Sequence, residues 1–196
     1  MLQPERKYYT PEEYLALEES SDYRSEYYQG EIFAMSGGSA NHNRIIRNLL
    51  VALTLALEGR GCEAFATDLR LFVKKNGLYT YPDLMVICDQ LEFIKGRTDT
   101  IINPVVIVEV LSKSTQDYDR GTKFELYRAI ETFQDYLLID QSRIHVEYFH
   151  RLDDGRWILQ EYNLIEDALI VESISFKLAL SRIYQGVDWQ NSCTSF

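Results

Sequence analysis

Tyr81-Pro82-Asp83-Leu84-Met85-Val86-Ile87-Cys88 and Val105-Val106-Ile107-Val108-Glu109-Val110-Leu111-Ser112 are two apolar runs, each carrying one carboxylate. Runs of this length, rich in Val and Ile, read as buried strands. A carboxylate inside such a strand carries a desolvation penalty unless something pairs with it. Side chains alternate across a strand, so Val108 and Val110 point away from the face that holds Glu109. If the two strands are neighbours, Asp83 and Glu109 meet, and like charges that close raise one pKa unless a cation intervenes. Carboxylate oxygens with water are the ligands Mg²⁺ prefers. The bland alternative is that Asp83 caps a turn and Glu109 pairs with an arginine.

Downstream, a helix is expected from about 119 to 130, with Asp119, Lys123 and Tyr127 four apart on one face. On the helix alone, Asp119–Lys123 reads as a surface ion pair. Directly after the Glu109 strand, its first turn can point Lys123 back at the carboxylates.

Upstream, Thr10-Pro11-Glu12-Glu13 is a helix start with cap, first-turn proline and capping-box glutamate. Tyr27 to Met35 reads as two strands about a turn at Gln29-Gly30. Ser36 to Asn41 is a glycine-rich loop, and apolar residues 45, 46, 49, 50, 53 and 57 predict a helix over 42–58. Strands are expected at 62–74, 81–88 and 104–111, the first two joined by an Asn76-Gly77 hairpin turn. A strand at 135–140, a hairpin at 144–150 and 156–162, a strand at 168–171 and a helix at 177–184 complete the reading. With no repeat and no linker, one mixed α+β domain over 1–196 is expected, its core about 9–187.

The chain has a formal net charge of −10, which counts against indiscriminate binding to phosphate backbones. The acidity is uneven: 6 basic and 9 acidic residues in 1–60, 9 and 10 in 61–130, 5 and 11 in 131–196. The segment with the two carboxylates is therefore near neutral, and a bound cation would make it locally positive. Cys62, Cys88 and Cys193 are far apart and odd in number, which argues against a zinc site and against a disulfide. The start lacks a signal-peptide core and no apolar stretch approaches membrane-spanning length, so a cytoplasmic protein without membrane partners is expected.

The motifs Pro82-Asp83, Val108-Glu109-Val110-Leu111-Ser112, Ser114-Thr115, Tyr118-Asp119-Arg120 and Lys123-Phe124-Glu125-Leu126-Tyr127 resemble the Uma2 family, formerly DUF820. That family belongs to the PD-(D/E)xK restriction-endonuclease-like superfamily. The likeness runs from about Tyr9 to Val187 and includes Gly30-Glu31, His42 at a helix start and the Tyr136-Leu137-Leu138-Ile139-Asp140 strand. It implies an α+β (α/β) restriction-endonuclease-like core: a mixed β-sheet flanked by helices, with an N-terminal extension and a C-terminal hairpin. It also implies Asp83, Glu109 and the Val110 carbonyl as ligands of Mg²⁺ or Mn²⁺. The superfamily pattern puts a lysine two residues after the glutamate, where this chain has Leu111. Lys123 is the natural substitute, its long stem able to reach the same point.

Glu31 is expected to supply the N-terminal acidic group, in preference to Glu26. His42 can act as a general base near pH 7, against a plain backbone-bonding role at the helix start. Asp68 is a further candidate on a strand. The expected activity is metal-assisted hydrolysis of nucleic acid, with DNA as substrate and Arg70, Lys74, Lys113 and Arg120 near its phosphates. Two other readings stand beside it: an inactive DNA-binding or assembly protein that keeps the fold, and a hydrolase of small phosphoesters. The Tyr-rich strands at 145–162 are either core or the face of a homodimer.

Overall fold

The Glu109 strand lies beside the Asp83 strand in the computed structural model, which describes residues 7–35 and 37–189. The chain opens with α1 (Pro11–Ser20), β1 (Ser25–Tyr28), β2 (Glu31–Ala34) and α2 (Ala40–Leu57). Next come β3 (Cys62–Ala66), β4 (Arg70–Val73), β5 (Leu78–Thr80), β6 (Leu84–Cys88), β7 (Thr100–Ile101) and β8 (Val106–Leu111). A helical crossover follows, made of α3 (Gln116–Tyr118), a π-helical turn (Asp119–Lys123) and α4 (Phe124–Tyr127). It leads into β9 (Asp135–Asp140), β10 (Val146–Arg151), β11 (Trp157–Tyr162), β12 (Ala168–Val171), β13 (Phe176–Ala179) and α5 (Leu180–Ile183).

A six-stranded sheet, order β11-β10-β9-β8-β6-β3, is the frame. Its strands pair antiparallel except β8 with β9, the parallel pair that the helical crossover joins. One face buries Val106, Val108 and Val110 against α2, α5 and the β12–β13 hairpin. On the other face, Ile107 and Leu111 pack with α4 and with a five-stranded sheet of order β2-β1-β5-β4-β7. Glu109 belongs to this second, equally apolar face. A third cluster, Tyr14, Tyr27 and Tyr79, seats α1 on the smaller sheet.

Local signals are borne out where side chains close their own hydrogen bonds. Thr10 and Glu13 form the predicted capping box. Gln29 and Gly30 both take positive φ (48° and 88°) in the turn that joins β1 to β2. Gly77, at φ 78°, closes the β4–β5 hairpin.

Corrections fall where tertiary packing overrules local pattern. The expected strand 62–74 is broken at Thr67 (φ 54°) into β3 and β4, which join different sheets. Asp68 sits in that break with its side chain 82% exposed beside Arg24, away from Asp83. The run 81–88 begins as a strand only at Leu84. The helix expected at 119–130 starts at Gln116 and ends at Tyr127, and Phe176–Ala179 is a strand rather than the start of a helix. Ser36 lies outside the described residues.

The cysteine reading is also corrected. Cys62 and Cys88 are register partners on β3 and β6 and form a disulfide; Cys193 lies outside the described residues. A bridge across 26 residues removes unfolded-state entropy equivalent to about 3 kcal/mol. Reduction, or the double change Cys62→Ser/Cys88→Ser, should lower the thermal midpoint by roughly 6–12 °C. A midpoint indifferent to reductant would mean the bridge is absent in solution. No helix among the described residues is long and apolar enough to cross a membrane.

Candidate active site

The site is assembled from five parts of the chain: the start of β6, β8, the helical crossover, β1 and α2. Leu84 pairs with Val108, so one step further the antiparallel register sets Asp83 opposite Glu109. Asp83 Oδ2 accepts the Val110 N–H at 2.7 Å, which fixes the carboxylate at the open end of β8. This is the C-terminal end of a parallel strand, where ligands of α/β sheets gather. Glu109 is buried, and its Oε1 accepts from the Tyr127 hydroxyl at 2.8 Å and from Lys123 Nζ at 3.0 Å. Lys123 thus reaches the glutamate from the crossover helix, while Leu111 packs into the core.

Lys123 also meets Glu26 Oε1 at 3.0 Å and Asp119 Oδ1 at 3.6 Å. Both Asp119 and Lys123 lie in the π-helical turn, a helix defect common at functional sites. Glu26, on β1, is further held by the hydroxyls of Thr80 and Tyr118. The structure thus places Glu26 against Lys123, whereas Glu31 was the expected N-terminal acid. Glu26 pairs across the hairpin with Phe33, and Glu31 with Tyr28 two residues closer to the turn. Glu31 is not among the residues lining the central cavity. Tyr27 faces the α1 cluster and Glu26 the opposite way, an alternation that by itself does not set Glu26 apart from Glu31, whose register partner Tyr28 shares the Glu26 face.

His42 enters from the first turn of α2. Ser39 caps this helix by accepting the His42 N–H, and its hydroxyl donates to Gln141. Nε2 of His42 lies 3.0 Å from Asp83 Oδ1. The preceding Gly38 makes room for the imidazole: a Cβ there would overlap His42 Cδ2. The other candidates scatter. Arg70 is buried against Tyr81 and Glu18, and Arg120 is paired with Glu147. Lys74 sits at the β4–β5 turn, and Lys113 lines a neighbouring cavity.

Electrostatics follow from this packing. Burial pushes the Glu109 carboxyl up to about 8; Lys123 opposes the rise, and the charges of Asp83 and Asp119 add to it. Asp119 is raised for the same first reason, burial, with Lys123 working against it. Burial would also raise Glu26, but Lys123 and the Thr80 and Tyr118 hydrogen bonds win and hold it below the usual range. Burial works against the Lys123 charge, yet the ammonium stays firmly protonated, because Glu109, Glu26 and Asp119 surround it. Burial disfavours the charged form of His42, but its hydrogen bonds to Asp83 and the Val110 carbonyl lift its pKa.

Four carboxylates (Glu26, Asp83, Glu109, Asp119) thus face one lysine and one histidine. Even with His42 protonated, full ionisation leaves two negative charges, the charge of one divalent cation. Among the described residues, no three His, Cys, Asp or Glu side chains converge as a metal-binding group. The groups expected to hold a metal, Asp83, Glu109 and the Val110 carbonyl, would offer it oxygen atoms alone. This all-oxygen set fits Mg²⁺, which keeps several waters and needs few carboxylates. Each Asp83 oxygen uses one lone pair on His42 or Val110 and retains another. A cavity of about 670 Å³ opens above these groups, bounded by Tyr28, Phe33, Met35, Ser112 and Tyr118.

A mixed sheet with two carboxylates and a lysine at the open end of its central strands defines a restriction-endonuclease-like fold. The chain belongs to the Uma2 family, whose model is described as "Putative restriction endonuclease" and matches residues 11–181. Two similar proteins come from Synechocystis sp. PCC 6803. Uncharacterized protein slr1290 is 39% identical over 178 residues, covering 91% of this chain and 92% of its own. Uncharacterized protein sll1609 is 42% identical over 155 residues, covering 79% and 88%. The crystal structure of "a putative nuclease belonging to DUF820" from Anabaena variabilis matches with a TM-score of 0.73 at 18% identity. That match covers 88% of this chain and 96% of the other, and confirms the fold.

Proposed function

We propose that this protein is a metal-dependent nuclease that hydrolyses phosphodiester bonds in nucleic acid, with DNA as its substrate class. The observation that carries the reading is the gathering of four carboxylates, Glu26, Asp83, Glu109 and Asp119, around Lys123 and His42 beneath an open cavity. Asp83, Glu109 and the Val110 carbonyl are the groups to hold Mg²⁺ or Mn²⁺, which when bound supplies Lewis acidity and a water acidified toward neutral pH. The chain's own residues do the rest. Lys123 holds a fixed positive charge beside Glu109, positioned to offset charge that builds on a phosphoryl oxygen. His42, whose Nε2 faces Asp83, is the residue to exchange a proton with the reacting groups. Glu26, Thr80 and Tyr118 keep Lys123 in place.

A second reading, a nucleic-acid-binding or assembly protein that has lost turnover, draws on one specific interaction. The Lys123 ammonium already lies 3.0 Å from both Glu26 and Glu109, and so satisfies part of the cluster without a metal. The two readings part in one assay: nicking of supercoiled plasmid and cleavage of single-stranded DNA in Mg²⁺ and Mn²⁺. The wild type should cleave, EDTA should abolish cleavage, and Asp83→Asn should reduce it at least 100-fold. An inert wild type that binds metal no better than Asp83→Asn would favour the second reading.

A further inference from the structure

Beside the central cavity lies a second one of about 730 Å³. The two share Ser39, Ser112, Ser114 and Gln141 as a common wall. Gln141, just past β9, ties that wall together: its Nε2 donates to the Leu111 carbonyl at 3.0 Å and its Oε1 accepts from Ser39. The two cavities thus adjoin across this wall as two arms, with the carboxylate–lysine cluster in the floor of the first.

Their chemistry differs. The first arm has an aromatic lip of Tyr28, Phe33 and Tyr118. Phe33 is 47% exposed on β2, the edge strand of the smaller sheet. It is also the register partner of Glu26, whose carboxylate touches Lys123. Directly paired residues have Cβ atoms about 5 Å apart, so the ring stands one side chain from the cluster. The second arm carries Arg44 and Lys113 with the hydroxyls of Ser112, Ser114 and Ser142; of its acids, Asp140 is already held by Ser142 and Arg143. Each volume is on the scale of a small-ligand site, roughly 300–1,000 Å³.

We propose that these two arms take a single nucleic-acid strand, with an unpaired base stacked on Phe33 and the neighbouring phosphate held by Arg44 and Lys113. The inference rests on the nuclease reading for the position of the scissile phosphate, but not for binding itself. A base inside a duplex has both faces covered by its neighbours, so an aromatic platform recognises unpaired bases. The chain's acidity points the same way. A net charge of −10 works against the long-range phosphate attraction on which duplex binders rely, and leaves local contacts such as those of Arg44 and Lys113 to hold a strand.

The test is fluorescence anisotropy in EDTA with ten-residue oligo(dT), oligo(rU) and a blunt duplex, on wild type, Phe33→Ala, Phe33→Tyr and Arg44→Ala/Lys113→Ala. Wild type should bind a single strand at least tenfold more tightly than duplex; the dT and rU arms identify which sugar is preferred. Phe33→Ala should weaken single-strand binding about tenfold, the scale of one missing base stack, and Phe33→Tyr should restore it. The double charge variant should flatten the slope of log affinity against log salt by about 0.7 for each phosphate no longer neutralised. Equal binding of duplex and single strand, or an unchanged Phe33→Ala, overturns the proposal. Metal-dependent plasmid cleavage is read separately: if it persists after such a result, only the strand preference has failed. If cleavage is absent while Phe33-dependent binding remains, the nuclease reading fails and the strand site stands.

Discussion

Lys123→Met is expected to cost both the fold and the activity more than any other single change at the site. Lys123 is 4% exposed and is the cation shared by Glu26, Glu109 and Asp119. Removing one partner of a buried ion pair leaves charge uncompensated, at about 3–5 kcal/mol. The carboxylates recover part of this by taking up protons, so the loss should deepen as pH rises. Cleavage should fall by about 10²–10³, the scale of removing one electrostatic stabiliser at a reacting centre. Added Mg²⁺ provides the discriminating measurement. With the lysine gone, Glu26, Glu109 and Asp119 lose their shared counter-charge and only His42, against Asp83, remains, so Mg²⁺ should raise the thermal midpoint of Lys123→Met more than that of the wild type. If Mg²⁺ shifts neither midpoint, the cluster does not take a divalent cation and the metal-dependent reading is lost.

That the sequence pointed to Asp83, Glu109 and Lys123 has a physical reason. A charge in an apolar strand is unfavourable, so Asp83 and Glu109 each announce a partner even before the strands are aligned, whereas Lys123 was legible only from its place after the Glu109 strand and from the family resemblance. The residue after the glutamate-strand core, Leu111, broke the expected spacing, and the structure answers with a lysine delivered from the π-helical turn. Glu26 was harder to read. It lies in the polar-aromatic stretch Ser25-Glu26-Tyr27-Tyr28, where a carboxylate on a short strand is ordinary, and only the β1–β5 pairing turns it toward Thr80 and Lys123. The disulfide was illegible for a similar reason: spacing alone carries no pairing, and Cys62 and Cys88 become neighbours only through the β3–β6 register. Elements bounded by their own caps and turns were legible. The break at Thr67 and the strand Phe176–Ala179 were not, because each depends on a distant partner strand.

Glu109→Gln should separate stability from function. The Glu109 carboxyl titrates at about 8 in the fold, against an ordinary value of 4.5. Between those values the native state holds a proton that the unfolded chain has released, so stability falls as pH rises through the window. Below it both states are protonated and the group contributes nothing; above it the native state carries the full penalty, a few kcal/mol. The raised pKa of His42 adds a fall of the same sign, since its protonated form is favoured in the fold and is lost as pH rises. Glutamine cannot ionise but keeps the shape and can still accept from Tyr127. In EDTA, the thermal midpoint of Glu109→Gln should therefore decline less from pH 5 to pH 9 than that of the wild type, and should exceed it at pH 9. Saturating Mg²⁺ should flatten the wild-type profile, because a cation favours the ionised carboxylate, and should leave the variant unchanged. Cleavage should be lost in the variant at every pH. A wild-type midpoint parallel to that of Glu109→Gln across the whole range would show that Glu109 is already ionised against Lys123 and that burial does not raise its carboxyl, which would overturn this pH dependence.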